Sequence, residues 1–257
     1  FLANYSPVGP SIFVALVGVA TIYFVYRVGK EWFSEKAGLL AAALYAVSPT
    51  VIIYSRSSWN PNIMPFFALL SVYSIWKVWK EKQSKWLIVL GVAYAFVLQS
   101  HYLGLLLTPT FVLFWILTFR NLKLIENCLP AGKAGKLEIK NLWRHTFLGL
   151  AVFLFLMSPL VIFDARHGWN NLTAMKKFFA ERQTTVSARP WNAIPKMYPI
   201  FADANTSLLA AKNVAVGKWL TLGIIIFLAY LFVFKKSYIL YPPSYILFSW
   251  LFFGLLG

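Results

Sequence analysis

The chain has 257 residues, of which 60% are hydrophobic and only 12% are charged, whereas soluble domains are roughly 45–50% apolar and about 25% charged. Its formal net charge of +16 would suit a nucleic-acid-binding protein, but the basic residues lie between long apolar runs, where anionic lipid headgroups explain them better. The composition therefore excludes soluble enzyme classes and a nucleic-acid partner, and it predicts a protein covered in part by membrane lipid.

Eight apolar segments separated by polar gaps follow one another along the chain. A helix of about 20 residues crosses a bilayer, so the pattern predicts an all-α, polytopic membrane protein with about eight transmembrane helices. The segments are 10–26, 37–54, 61–76, 86–100, 103–119, 146–163, 217–234 and 241–257.

The fourth and fifth segments form one apolar stretch from Trp86 to Phe119. This stretch is too long for one ordinary crossing, and the polar residues Gln99, Ser100 and His101 lie near its middle. We therefore expect two short helices joined by a tight turn.

The basic residues predict the orientation of the chain in the membrane. Fifteen of the 24 Lys and Arg residues lie in alternate gaps, at 27–36, 77–85, 120–144 and 235–236, whereas the short gaps between them hold only Arg56. Because cytoplasmic loops are enriched in Lys and Arg, we predict that the N-terminus and the long loop 164–216 lie outside the cytoplasm, in a multi-pass protein of the cell membrane.

The two longest gaps differ in character. The basic loop 120–144 is predicted to be a flexible insertion without chemistry. In loop 164–216, Leu172, Met175 and Phe179 recur at helical spacing, which indicates an amphipathic helix on the outer leaflet. This long, aromatic-rich loop could cover a site, and a simple lid or packing role is the alternative. We therefore divide the chain into a helical body at 1–163, an extracytoplasmic loop with an interfacial helix at 164–216, and C-terminal transmembrane helices at 217–257.

The first candidate site is the polar turn at 54–62, after the second segment. Arg56 could clamp a phosphate or carboxylate, because its guanidinium binds oxyanions at two points. Pro61 suits the start of the next helix, and Asn60 is expected to cap it. The alternative interpretation is a capped turn with an interfacial Trp and Arg.

Two further polar clusters lie at the predicted outer face. His101 and Tyr102 follow the fourth segment, where a polar group between apolar halves indicates function or a hydrogen-bonded interfacial histidine. Asp164, Arg166 and His167 follow the sixth segment and could serve acid–base chemistry or bind metal; an Asp–Arg pair that caps a helix end is the alternative.

Two stretches resemble a known family. The sequence AAALYAVSPTVIIYSR at 41–56 and the sequence LQSHYLG at 98–104, with Pro109 after it, resemble integral-membrane glycosyltransferases of the C superfamily. The closest group is glycosyltransferase family 39, which includes protein O-mannosyltransferases and lipid A aminoarabinose transferases. The resemblance covers about residues 8–165, and relatives often have Lys, thought to meet the lipid phosphate, where this chain has His101.

The resemblance implies an enzyme that transfers a sugar from a polyprenyl-phosphate donor to an acceptor protein, lipid or glycan outside the cytoplasm. It implies that Arg56 and His101 bind the donor phosphate. The other predicted substrate-binding residues, from the polar clusters, are Asn60, Tyr102, Arg166 and His167. The family's usual base is an Asp in the first external loop. The chain does not begin with Met and ends within an apolar run, so we expect a fragment in which that Asp lies upstream, with Asp164 a weak catalytic candidate.

The sequence is also compatible with other functions. No metal site is predicted, and the resemblance leaves open whether the enzyme needs a divalent cation. A transporter or lipid-carrier flippase is one alternative, although such proteins tend to have repeats and polar groups near mid-membrane. A polymerase or ligase of surface polysaccharide is another, because it would share both the lipid-linked donor and the external site.

Overall fold

The computed structural model describes residues 6, 8–128, 132–181, 194–234 and 242–256. These residues form helices joined by short turns and contain no strand, so the predicted all-α class is confirmed. The α-helices are α1 Val8–Trp32, α2 Glu35–Val47, α3 Pro49–Tyr54, α4 Met64–Glu81, α5 Trp86–Ser100, α6 Thr108–Cys128, α7 Gly132–Arg166, α8 Asn170–Glu181, α9 Ile194–Leu209, α10 Val214–Phe234 and α11 Pro242–Leu256. Two 3-10 helices, Asn60–Ile63 and Tyr102–Leu107, precede α4 and α6.

Several of these helices suit a polytopic membrane protein. Within the described residues, Val8–Trp32, Tyr102–Glu126 and Gly135–Arg166 are long and apolar enough to cross a bilayer. The pair formed by α9 and α10, bent by 113°, could supply a fourth crossing. The number of eight crossings stays a prediction.

The predicted segment from 37 to 54 is broken in the structure. Helix α2 ends at Val47 and α3 begins at Pro49, with Ser48 in an extended conformation between them. The residue before a proline is disfavoured in the helical region, which explains why the break lies at Ser48.

The predicted turn in the middle of the apolar stretch 86–119 is confirmed, since α5 ends at Ser100 and His101 is extended. The second helix is longer than expected, because α6 continues to Cys128. The flexible loop predicted at 120–144 is wrong for the described part of this range, because α7 already begins at Gly132; residues 129–131 lie outside the described residues. Lys and Arg are good helix formers, so basic residues that mark a membrane boundary need not end a helix.

Contacts between residues divide the chain into two compact units, and the first comprises Phe1–Leu69 and Pro195–Tyr245. In this unit α1 packs against α2. The two helices approach closely at Gly29 and Gly38, where a Cβ on Gly29 would lie 2.7 Å from the Gly38 Cα. The Thr50 hydroxyl, at the start of α3, donates a hydrogen bond of 2.6 Å to the Ser207 carbonyl of α9.

The second unit comprises Leu70–Ile194 and Ile246–Gly257, and α5 packs along α7 in it. A Cβ on Gly91 would collide with the Gly149 carbonyl, so small residues permit this approach. Near the end of α5, the Gln99 side-chain amide donates to the Leu156 carbonyl of α7 at 3.2 Å. The predicted boundaries at 163 and 216 describe membrane topology and stay predictions.

Candidate functional site

The turn after α3 presents Arg56 to solvent. Helix α3 ends at Tyr54, and the Arg56 amide donates to the Ile53 carbonyl at 3.4 Å. The Arg56 side chain is exposed, and within the described residues it forms no ion pair with a carboxylate. A guanidinium without such a pair can bind an incoming oxyanion at two points.

The predicted cap at Asn60 is wrong. Asn60 is the first residue of the 3-10 helix, the preceding Trp59 makes no side-chain cap, and the Asn60 side chain is exposed. Asn62 instead fixes the turn, because its side-chain amide donates to the Ser57 carbonyl at 2.7 Å and to the Ser57 hydroxyl at 2.9 Å. The expected position of Pro61, where its missing N–H costs nothing, is confirmed.

His101 lies between α5 and the following 3-10 helix and caps both. Its amide donates to the Val97 carbonyl of α5 at 3.0 Å, and its Nδ1 accepts from the Leu103 amide at 3.1 Å. An acceptor nitrogen carries no proton, so the neutral ring has its proton on Nε2. The local backbone therefore leaves Nε2–H as the free donor of His101.

The residues after His101 hold this turn against α5. The ring of Tyr102 lies 4.4 Å from the His101 ring, centroid to centroid. A Cβ on Gly104 would collide with a Val97 methyl group, and the Tyr94 hydroxyl donates to the Gly104 carbonyl at 3.3 Å. The His101 turn is thus packed on α5, and its ring is half-buried.

Asp164 begins the third cluster, near the end of α7, and is only 6% exposed. One carboxylate oxygen accepts from the Asn171 amide at 2.7 Å, and the other accepts from the Leu172 amide at 2.9 Å. These amides belong to the first turn of α8 and have no partner inside that helix. Asp164 thus acts as a helix cap, as one alternative predicted, although no ion pair joins it to Arg166 among the described residues.

His167 and Arg166 are exposed at the same turn. The His167 ring stacks on Phe163, with 4.1 Å between centroids, and its Nδ1 lies 2.7 Å from the Phe163 carbonyl. A carbonyl oxygen can only accept, so Nδ1 is the donor and Nε2 of the neutral ring keeps a lone pair. The two histidines therefore differ in what Nε2 can do for a ligand: in His101 it donates a hydrogen bond, and in His167 it accepts one.

The structure brings the second and third clusters to the same region of the second unit. The Gln99–Leu156 hydrogen bond lies two residues before His101 on α5 and eight residues before Asp164 on α7. Eight residues of helix correspond to about 12 Å. The predicted position of all three clusters at the outer ends of helices suggests one shared cavity. Arg56 belongs to the first unit, so its approach to His101 and Asp164 stays a prediction.

The sequence missed two groups that organise these turns, Asn62 and the Leu103 amide. The spacing of Asn62 after Ser57 is compatible with a side-chain bond to the turn, but the sequence places several polar residues there.

No three His, Cys, Asp or Glu side chains come together as a metal site in the part of the chain that the structure describes. The metal-binding alternative for Asp164–His167 therefore has no support.

Comparison with known proteins gives a family match that includes the first two clusters. The family model described as "Dolichyl-phosphate-mannose-protein mannosyltransferase" matches residues 3–163. This range contains Arg56, Asn60, His101 and Tyr102, and it ends just before Asp164. No solved structure matches this chain.

Two curated proteins of Bacillus subtilis (strain 168) are similar to part of the chain. "Putative mannosyltransferase YycA" is 27% identical over 110 residues, which are 41% of this chain and 16% of that protein. "Putative mannosyltransferase YkcB" is 26% identical over 107 residues, which are 40% of this chain and 14% of that protein. The matched region is thus less than one fifth of each relative's length.

Proposed function

Because the chain belongs to the dolichyl-phosphate-mannose-protein mannosyltransferase family, whose model matches more than half of it, we propose that it is part of a membrane glycosyltransferase. Its donor is a polyprenyl-phosphate-linked sugar, and its acceptor is a protein, lipid or glycan on the extracytoplasmic side of the membrane. The family match, which includes both the Arg56 turn and the His101 turn, is the observation that carries this proposal.

The proposed reaction is a substitution at the anomeric carbon of the sugar. The bond from that carbon to the phosphate oxygen breaks, a bond to the acceptor oxygen forms, and the acceptor proton passes to a carboxylate base. The polyprenyl phosphate leaves with the bonding electrons and carries the developing negative charge. Groups that stabilise this charge in a site shielded from water contribute most to the rate.

Arg56 and His101 are the proposed phosphate ligands. The Arg56 guanidinium is exposed and unpaired with any described carboxylate, so it can form a two-point, charge-assisted contact with the phosphate. His101 contributes its Nε2–H, the donor that remains after Nδ1 has capped the 3-10 helix. Tyr102 and Asn60 flank these two groups in the sequence and are proposed to contact the donor as well.

The third cluster suits the acceptor side better than the base. Asp164 is buried, and both of its oxygens already hold amides of α8, so we do not propose it as the base. His167 presents an unprotonated Nε2 when neutral, and Arg166 is exposed beside it. We propose that these two side chains bind the acceptor or the donor sugar.

A transfer assay on right-side-out membrane vesicles tests both the proposed activity and the side of the membrane on which it occurs. Vesicles from cells that produce the full-length protein receive short-chain polyprenyl-phosphate [14C]mannose from outside, and incorporation into macromolecules is counted. We expect incorporation above that of vesicles without the protein, and at least about tenfold less with Arg56→Ala, because a charge-assisted contact is worth about 1.5–3 kcal/mol.

The same vesicles supplied with GDP-[14C]mannose should incorporate no label from outside. Incorporation from the nucleotide sugar alone would contradict a lipid-linked donor. No incorporation from the lipid-linked donor, or equal incorporation by the Arg56→Ala protein, would contradict the proposed site.

A further inference from the structure

The turn between α4 and α5, Lys82–Lys85, has a backbone that its sequence does not favour. Lys82 has a φ of 55°, and the Gln83 amide donates to the Lys77 carbonyl at 3.2 Å. This is the helix-ending geometry in which glycine usually occupies the left-handed position. The left-handed backbone conformation is less favourable for lysine than for glycine. Lys82 thus places a charged side chain where glycine would be more stable.

The neighbouring acid does not neutralise Lys82. One oxygen of Glu81 pairs with the Lys77 ammonium at 2.7 Å, and the other accepts from the Gln83 side-chain amide at 2.8 Å. Lys82, Lys85 and Arg144 form no ion pair with a carboxylate among residues 8–128, 132–181, 194–234 and 242–256. Three cations of this region are therefore available to an anion.

A cavity of about 60 Å³ opens beside this turn. Its polar lining includes Lys82, Ser84, Asn141 and Glu138, and its apolar lining includes Val78 and Leu142. A single water molecule needs a cavity of roughly 10–15 Å³, so this cavity has room for a group with several heavy atoms. Its ammonium, hydroxyl and amide groups can all donate hydrogen bonds.

Ser84, which lines the cavity, is connected to α7 by a hydrogen bond that the sequence did not predict. The Ser84 hydroxyl lies 2.9 Å from Nδ1 of His145 on α7. Lys85 and Arg144 are the sequence neighbours of Ser84 and His145, and both are exposed. Together, one acidic residue, Glu138, and three basic residues, Lys82, Lys85 and Arg144, give a positive net charge.

We propose that this cavity, bounded by Lys82, Ser84 and Asn141, binds the phosphate of an anionic phospholipid headgroup. The cations attract the phosphodiester, and the Asn141 amide donates a hydrogen bond to its oxygens. The Ser84 hydroxyl donates a second one in the His145 tautomer whose Nδ1–H donates to the Ser84 oxygen. This site lies at the predicted cytoplasmic end of the helices, where the leaflet is rich in anionic lipid, and it is independent of the proposed transferase site.

A lipid titration of the full-length protein in neutral detergent tests the site. Phosphatidylglycerol is added stepwise, and the rise in melting temperature gives the half-maximal lipid concentration. We expect phosphatidylglycerol to raise the melting temperature more than equal amounts of phosphatidylcholine. Lys82→Gly should need at least about tenfold more phosphatidylglycerol, which corresponds to about 1.4 kcal/mol.

Lys82→Gly also separates binding from folding. Glycine relieves the left-handed backbone, so without added lipid the variant should melt at the same temperature as the wild type or higher. Lys82→Gln, which keeps a side chain there, should show the same loss of lipid response. Lys80→Gln is the matched control: it removes one exposed charge of α4 that does not line the cavity, and it should change the half-maximal concentration less than twofold.

Three results would overturn the proposal. Equal losses in Lys80→Gln and Lys82→Gly would mean that the basic residues act only as a diffuse charge. An equal rise with phosphatidylcholine would remove the role of the anionic headgroup. Inorganic phosphate with the same half-maximal concentration as phosphatidylglycerol would show a site for free phosphate and not for a lipid.

Discussion

The His101 turn and the Asp164 turn both place a polar side chain at the end of an apolar helix, but they use it differently. His101 caps a helix with one ring nitrogen and keeps Nε2 for a ligand. Asp164 gives both carboxylate oxygens to amides of α8 and is buried. Two polar residues at similar places can therefore differ completely in what they can offer to a substrate.

The number of unpaired amides near each side chain explains the difference. After α5 the chain continues in a 3-10 helix, and among the described residues one amide, that of Leu103, donates to the His101 ring. After α7 the chain reverses through Gly168 and Trp169, both at positive φ. This tight reversal brings two amides of the α8 first turn to Asp164, and a carboxylate has an oxygen for each.

Asp164→Ala should give the largest effect, a loss of about 2–3 kcal/mol in the free energy of unfolding. The substitution leaves two amides without their charged acceptor, and hydrogen bonds to charged groups contribute about 1.5–3 kcal/mol. Denaturant unfolding of the full-length protein in detergent measures it.

Asp203→Ala is the control for Asp164→Ala, since Asp203 is an exposed acid on α9, and it should change stability by less than about 0.5 kcal/mol. If Asp164→Ala were as stable as the wild type but inactive, the carboxylate would be a catalytic group and the contrast between the two turns would fail.

The two functions of His101 can be separated with a pair of substitutions. Asn can cap a helix but lacks the Nε2–H, so His101→Asn should keep the melting temperature and lose about tenfold in donor affinity. Lys cannot accept the Leu103 amide bond, so His101→Lys should lose about 1 kcal/mol of stability and retain most of the donor affinity through its charge.

The two measurements for this pair are thermal unfolding in detergent and binding of polyprenyl-phosphate mannose. A purely structural His101 would give the reverse pattern, in which His101→Asn binds donor like the wild type while His101→Lys is impaired only through its lower stability.

Gly168→Ala should have the smallest effect, a loss of about 1 kcal/mol. The φ of Gly168 is 72°, and no atom lies near the position of an added Cβ, so the cost comes from the left-handed backbone alone. Gly223→Ala, in open space within α10, should be neutral or slightly stabilising. Thermal unfolding of both variants tests whether the Asp164 turn depends on this backbone; equal melting temperatures would show that it does not.

The sequence was sufficient for the coarse fold and for the break at His101. Apolar runs locate the helices because lipid requires them, and the polar residues 99–101 interrupt an apolar stretch too long for one crossing. The sequence was insufficient for residues 120–144. Their basic residues suggested a loop, whereas the structure has the end of α6 and the start of α7 there.

The roles of individual polar residues were less predictable than the helices. Asn60 and Asn62 are identical residues two positions apart, and only the path of the turn decides that Asn62 bonds to Ser57. The Ser84–His145 contact joins residues 61 positions apart, and no local pattern predicts it. Such pairings depend on how α5 and α7 pack, and this packing cannot be read from the local patterns of a single sequence.

The most direct test of the proposed function is equilibrium binding of polyprenyl-phosphate mannose to the full-length protein in nanodiscs. We predict saturable binding by the wild type, with an affinity at least about tenfold lower in Arg56→Ala, because that substitution removes a charge-assisted contact without removing any ion pair seen in the described residues. The Arg56→Ala protein should unfold at the wild-type temperature. Absence of binding by the wild type, or equal affinity in both proteins, would contradict a lipid-phosphate donor held by Arg56.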